Sequence, residues 1–228
     1  MKIAILGANG FVGSNVALYL QQYYPNINTI TRENYTSYKG NHYDYFINCN
    51  GNSKKYWANE NPIEDFEASV TSVYKTFFDF SIYHYIYMSS LDIYYSFPYG
   101  FHKRIAEDII QNRTLDRLFL RCGSIIGPHM KKGVLYDILH DKPLYVTEDS
   151  KFQFISVFDI ARCIYDYIQG KYMYYTRNLG TPPISVKTLG LWLDKSIQYH
   201  PSCSKQHYNH YTSYPSEKNI KEYILTNI

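Results

Sequence analysis

The chain opens on a short apolar run at residues 3–6 that ends at once in Gly7-Ala8-Asn9-Gly10-Phe11-Val12-Gly13, and residues 11–20 then carry apolar side chains at helical spacing. A β-branched run broken by glycine reads as a buried strand, and the three-and-four spacing after it reads as a helix packed back on that strand. Each glycine of the turn then has a separate purpose: the first turns the chain, the second leaves room for an anion against the backbone, and the third lets helix approach strand. The helix N-terminus adds free N–H groups and a positive dipole end. The opening therefore predicts a βαβ unit that binds the pyrophosphate of a dinucleotide through Gly7, Asn9, Gly10, Phe11, Val12 and Gly13.

The rest of the chain continues that alternation. Residues 27–31 read as a second strand and 43–49 as a third, which ends in the polar turn Asn50-Gly51-Asn52-Ser53. Residues 32–42 between them are too few for a full strand and helix, so one βα unit of the usual arrangement is trimmed away. Residues 63–80 have helical spacing with Glu64, Asp65 and Glu67 early, where acids suit the helix dipole. Residues 84–90 read as a strand, 99–111 as a helix and 115–122 as a strand, followed by a loop at 123–128. This order predicts an α/β fold, a Rossmann-like doubly wound parallel sheet with a small C-terminal substrate lobe. The expected division is an NAD(P)-binding domain over 1–125 and a reduced substrate-binding lobe over 126–228, with 153–169 returning to the sheet. No internal repeat or low-complexity segment interrupts it.

Composition narrows the partners. A net charge of +3 over 228 residues, with no basic block, excludes the electrostatic footprint of a nucleic-acid binder. No stretch approaches the roughly 20 apolar residues of a membrane span, and the first apolar run is too short for a signal segment. Cys49, Cys122, Cys163 and Cys203 are widely spaced and read as reduced thiols of a cytoplasmic protein. His200, Cys203, His207 and His210 match no common zinc spacing, so no metal is expected. The 27 tyrosines, with frequent Asn, Ile and Lys, follow the supply of AT-rich codons. Pairs such as Tyr94-Tyr95 and Tyr174-Tyr175 read as core and rim packing.

Two further segments carry chemistry. Thr31-Arg32 closes the second strand, where an arginine pairs with the extra phosphate of NADP and an acid would grip the ribose of NAD; Arg32 points to NADP, with NAD the second choice. The strand at 84–90 ends in Ser89-Ser90, and Tyr99-Gly100-Phe101-His102-Lys103 opens the following helix. Residues four apart share a helix face, so the Lys103 ammonium can sit near the Tyr99 phenol, favour its phenolate and make it a general acid or base.

This set, with the G-x-x-G-x-x-G turn, resembles the extended branch of the short-chain dehydrogenase/reductase superfamily, which comprises nucleotide-sugar epimerases, dehydratases and reductases. Ile47-Asn48-Cys49-Asn50-Gly51, Asn61-Pro62, Leu120 through Pro128, Phe154 through Ala161, Asn178-Leu179-Gly180 and Ile184-Ser185-Val186 extend the likeness over most of the chain. The resemblance implies that Asn50 and Gly51 line the cofactor and that Lys103 holds the nicotinamide ribose. It implies that Ser90, or else Ser89, bonds the reacting oxygen. It further implies a nucleotide-sugar substrate and a homodimer built on the helices at 63–80 and 99–111.

The chain also departs from the family. Ser69 stands where an asparagine is usual, and the loop between Ser90 and Tyr99 is short. Asp92 stands where sugar 4,6-dehydratases carry a glutamate, but Leu91 replaces the acid beside it, so Asp92 is expected to be structural or capping. The expected function is an NAD(P)-dependent nucleotide-sugar epimerase or keto-sugar reductase with Ser90, Tyr99 and Lys103 as the catalytic set. The alternatives are a 4,6-dehydratase using Asp92 as acid/base, and a non-catalytic NAD(P)-binding sensor or scaffold.

Overall fold

In the computed structural model, which describes residues 1–171, 175–212, 215 and 217–227, β1 (Ile3–Leu6) is buried at every position and leads through the glycine turn into α1 (Phe11–Leu20). A Cβ on Gly13 would lie 2.3 Å from the Gly7 carbonyl oxygen, so only glycine lets α1 come this close to the strand. β2 (Ile27–Ile30) and β3 (His42–Asn48) run parallel to β1 on either side of it. Between β2 and β3 the chain makes only a 3₁₀ turn, Tyr35–Tyr38. A full βα unit is missing there, as the short spacer requires.

α2 (Lys55–Glu60) and α3 (Pro62–Phe66) follow, and the helix expected over 63–80 runs as α3, a π-helical turn at Glu67–Thr71, and α4 (Ser72–Asp79). β4 (Ser81–Ser90) is parallel to β3, and a 3₁₀ turn at Leu91–Tyr94 joins it to α5 (Pro98–Arg113). Next come β5 (Arg117–Cys122), β6 (Ser124–Ile126), α6 (Val134–Leu139), β7 (Leu144–Val146), β8 (Lys151–Phe152), β9 (Phe154–Ser156) and α7 (Val157–Ile168). β10 (Thr176–Leu179), β11 (Ile184–Ser185), α8 (Val186–Leu193), β12 (Tyr199–Ser204) and α9 (Glu217–Asn227) complete the described elements. β6 lies in the segment expected to be a loop; three residues are too short for a periodic signal, and pairing with β9 is what makes them a strand.

The main sheet has six strands in the order β10-β5-β4-β3-β1-β2, which leaves β2 at an edge. Ile30 turns its carbonyl toward the glycine turn and accepts from Gly7 N at 2.9 Å, so the groups of Thr29 and Thr31 face outward. The Asn34 side chain takes both: its amide donates to Thr29 O at 3.0 Å and its carbonyl accepts from Thr31 N at 2.7 Å.

Contacts divide the chain into one unit of Met1–Arg121 with Ile160–Arg177 and a second of Cys122–Asp159 with Asn178–Ile228. The core of the first joins Ala4, Ile30, Tyr43, Phe46, Tyr85 and Phe119. Three tyrosines, Tyr43, Tyr85 and Tyr87, are fully buried there. The Tyr85 hydroxyl accepts from Asn48 Nδ2 at 2.8 Å and bonds the Thr76 hydroxyl at 3.1 Å, which offsets the cost of burying it. Of the tyrosine pairs, Tyr94 is exposed and Tyr95 half-buried at the rim, while Tyr174 lies outside the described residues. In the second unit Leu135, Ile138, Leu144, Phe154, Leu189 and Ile224 share a core. The β6–β9, β8–β11 and β7–β12 ribbons surround it.

Candidate active site

The glycine turn places Gly7, Asn9 and Gly10 between β1 and α1, with Phe11 and Val12 as the first helical residues and Gly10 as N-cap. Beyond the Gly7 oxygen at 3.2 Å, nothing lies within 4 Å of where a Gly10 Cβ would stand, so the backbone is open to a ligand there. A cleft of about 710 Å³ runs past Gly7 along the carboxyl ends of β1, β2 and β3, and Thr31, Arg32, Asn50 and Gly51 line it. Lys39, Lys54 and Lys75 line it as well. Asp79 lines it too and pairs with Lys39 at 3.0 Å, so Arg32, Lys54 and Lys75 give the wall its net positive charge, and a crevice at strand ends is where doubly wound sheets bind dinucleotides.

Ser90, Tyr99 and Lys103, the catalytic set expected from the sequence, lie where β4 meets α5. Lys103 is 4% exposed, and its ammonium donates to the Met88 carbonyl at 3.0 Å while lying 4.9 Å over the Tyr87 ring. It is 3.5 Å from where a Gly51 Cβ would stand, so the ends of β3 and β4 converge on it. Tyr99 is half-buried, one turn ahead of Lys103 on α5. Burial, with Tyr85 and Tyr99 as neighbours, holds the Tyr87 hydroxyl well above its ordinary pKa, so Tyr87 stays neutral under the lysine.

Ser90 closes β4. Its hydroxyl accepts from Asp92 N at 3.1 Å and donates to Asp92 Oδ2 at 3.0 Å, so Ser90 caps the 3₁₀ turn and the Asp92 carboxylate engages the serine. The second Asp92 oxygen is 2.6 Å from the Lys55 ammonium, whose side chain is 39% exposed against 5% for the carboxylate. Burial pulls the Lys55 ammonium below its ordinary pKa, and Asp92 works against that shift. Ser89 faces elsewhere, donating to Glu107 Oε1 at 2.5 Å, and Glu107 is clamped by Arg121 at 2.6 Å. Of the two serines, Ser90 is therefore the one at the 3₁₀ turn, whereas Ser89 is held by Glu107 farther along α5.

Helix α5 comes this close to the turn because its third residue is Gly100: a Cβ there would be 2.0 Å from the Asp92 carbonyl oxygen. On its other side α5 is tied to α3 by His102, whose Nδ1 lies 2.6 Å from Asp65 Oδ2 in the interior. Asn52 donates to the other Asp65 oxygen at 2.8 Å, and Ser69 reaches it at 3.4 Å. Ser69 thus supports this buried pair from the π-helical turn.

Lys55, Glu107 with Arg121, and His102 with Asp65 carried no motif. The only sequence trace of Lys55 is Lys54-Lys55 directly after the polar turn Asn50-Gly51-Asn52-Ser53. Among the described residues no three His, Cys, Asp or Glu side chains group as a metal would require, and no helix is long and apolar enough to cross a membrane.

No protein-family model and no curated protein matches the sequence. Solved structures do match in fold. The UDP-N-acetylglucosamine 4-epimerase of Methanobrevibacter ruminantium superposes with a TM-score of 0.76 at 16% identity, over 98% of this chain and 95% of that one. The UDP-glucose 4-epimerase of Thermus thermophilus, solved with NAD, gives 0.71 at 14% identity, over 97% and 93%. The dTDP-4-dehydrorhamnose reductase of Bacillus anthracis, solved with NADP, gives 0.74 at 12% identity, over 98% of both chains. The chain has the Rossmann-like fold of the nucleotide-sugar 4-epimerases and 4-keto-sugar reductases.

Proposed function

We propose that the protein carries out NAD(P)-dependent redox chemistry on a nucleotide sugar, as a keto-sugar reductase or an epimerase, with Tyr99, Lys103 and Ser90 at the reacting carbon. The observation that carries this reading is the position of Lys103, whose ammonium stands where the ends of β3 and β4 meet, beside Gly51 and one helical turn from Tyr99. A nicotinamide dinucleotide, bound along the cleft, supplies or accepts the hydride. Gly10 and the α1 N-terminus receive its pyrophosphate, Asn50 and Gly51 flank it, and Lys103 holds its ribose. Tyr99 moves the proton at the sugar oxygen, aided by the cation beside it, and Ser90 donates a hydrogen bond to the same oxygen. Arg32, on the cleft wall at the end of β2, favours NADP and with it the reductive direction.

Asp92 supports this set from behind. Both its oxygens are engaged, one by Ser90 and one by Lys55, which favours a structural role over that of a dehydratase acid/base. We further propose a homodimer through α3, α4 and α5, whose stretch of chain leaves Ile63, Phe66, Tyr74, Phe78 and Phe101 exposed. Light scattering on the eluting protein would read its mass directly.

The test of activity is titration with NADPH and NADH by nicotinamide fluorescence, then turnover with UDP-, GDP- and dTDP-linked sugars and their 4-keto forms. NADPH oxidation by a keto sugar that Tyr99→Phe abolishes supports reduction; inversion without net oxidation supports epimerisation. Dinucleotide binding with no turnover would make the protein a sensor or scaffold, and no binding would overturn the reading.

A further inference from the structure

Asp92 presents an unusual arrangement for a catalytic wall. Its carboxylate is almost fully buried, one oxygen holds the Ser90 proton, and the other meets an ammonium that comes from a different element, α2. A buried carboxylate demands compensation for the water it loses. Without a cation it would draw that compensation from the Ser90 hydroxyl alone and hold the proton tightly. With Lys55 at 2.6 Å the charge is shared, and the serine can turn its proton to another acceptor.

Lys55 is placed for that task by its surroundings. α2 follows the Asn50-Gly51 turn, where Asn52 braces the chain by accepting from Lys54 N at 2.8 Å and donating to buried Asp65 at 2.8 Å. The Lys55 ammonium also lies 5.6 Å from the Phe97 ring centre, so an aromatic face steadies it from the α5 side. The cation is therefore aimed at Asp92 from two directions.

We propose that Lys55 is a positioning residue of this site, acting through Asp92 to leave the Ser90 hydroxyl available to the reacting oxygen of the substrate; this rests on the reading of the site as a reductase or epimerase centre. Lys55 itself need not touch the reacting atoms. Its effect must then pass through Asp92 and disappear when Asp92 can no longer hold a charge.

A double-mutant cycle tests this. Turnover of the parent protein is measured first with NADPH and the 4-keto form of a dTDP-linked sugar, followed by Lys55→Met, Lys55→Arg, Asp92→Asn and the double variant. Lys55→Met should lower kcat on the order of ten- to a hundredfold, the size of a misplaced catalytic group, with NADPH affinity unchanged. Lys55→Arg should recover most of the loss. In the Asp92→Asn background the same Lys55→Met change should alter kcat by less than about twofold, because the two residues act as one coupled unit. An equal factor in both backgrounds, or no loss at all, overturns the proposal while leaving the reading of the site intact. The cycle is run on whichever nucleotide sugar of the panel the parent turns over; absence of turnover with all of them removes the reading, and the proposal with it. Unchanged NADPH affinity in Lys55→Met separates any loss of kcat from a loss of fold.

Discussion

Substitution of Gly100 tests whether close packing of the 3₁₀ turn on α5 builds the site. Propensity alone favours Gly100→Ala, since alanine gains up to about 1 kcal/mol over glycine within a helix. Geometry opposes it. The new Cβ would stand 2.0 Å from the Asp92 carbonyl oxygen and 2.8 Å from the carbonyl carbon, both backbone atoms. Ordinary carbon–oxygen contacts begin near 3.3 Å, so turn and helix must part by about 1 Å. Overpacking of this kind costs about 1–3 kcal/mol, which for a chain of this length lowers Tm by about 2–12 °C. The same shift moves Ser90 away from Tyr99, and a 1 Å misplacement costs about a hundredfold in rate. Thermal unfolding by circular dichroism and keto-sugar turnover read the two effects separately. A variant as stable as the parent, or more so, would refute the packing argument.

Arg32→Ala should weaken NADPH about ten- to a hundredfold, as expected for loss of a charge-assisted bond to a phosphate, and leave NADH within about twofold; fluorescence titration with both nucleotides gives the ratio. Glu107→Gln should destabilise the protein by about 3 kcal/mol in urea unfolding, since it leaves Arg121 without its charged partner at a largely buried pair. Burial pushes the Tyr85 hydroxyl up to about 12, whereas an unfolded tyrosine ionises near 10. Between those values the unfolded chain has lost a proton the native one still holds, so stability falls as pH rises, by about 1.4 kcal/mol per unit for this group. Urea midpoints at pH 9 and pH 11 should show the fall, and Tyr85→Phe should make it shallower.

The parts of the molecule that follow from local rules were legible in the sequence. The glycine turn needs only its own residues and the strand before it, and Tyr99 and Lys103 share a face because of helical geometry. The short spacer after β2 foretold the missing βα unit. The parts decided by partners distant in sequence were not legible. Lys55 finds Asp92 across 37 positions from a six-residue helix too short to carry a period. Glu107 reads as one polar residue on a helix face until Arg121 and Ser89 close on it. That Ser89 is engaged by Glu107 was likewise hidden, since it depends on a partner distant in sequence.

The Asn34 amide at the open edge of β2 bears on how the protein behaves at high concentration. Loss of a βα unit leaves an internal strand at the rim of a sheet, and such a rim is a template on which a second copy can grow. One side chain answers part of it: Asn34 occupies Thr29 O and Thr31 N, two of the outward groups with which an incoming strand would pair. An asparagine three residues beyond the last outward N–H covers part of this rim, and a second copy would have to displace that amide before it could pair with Thr29 O or Thr31 N.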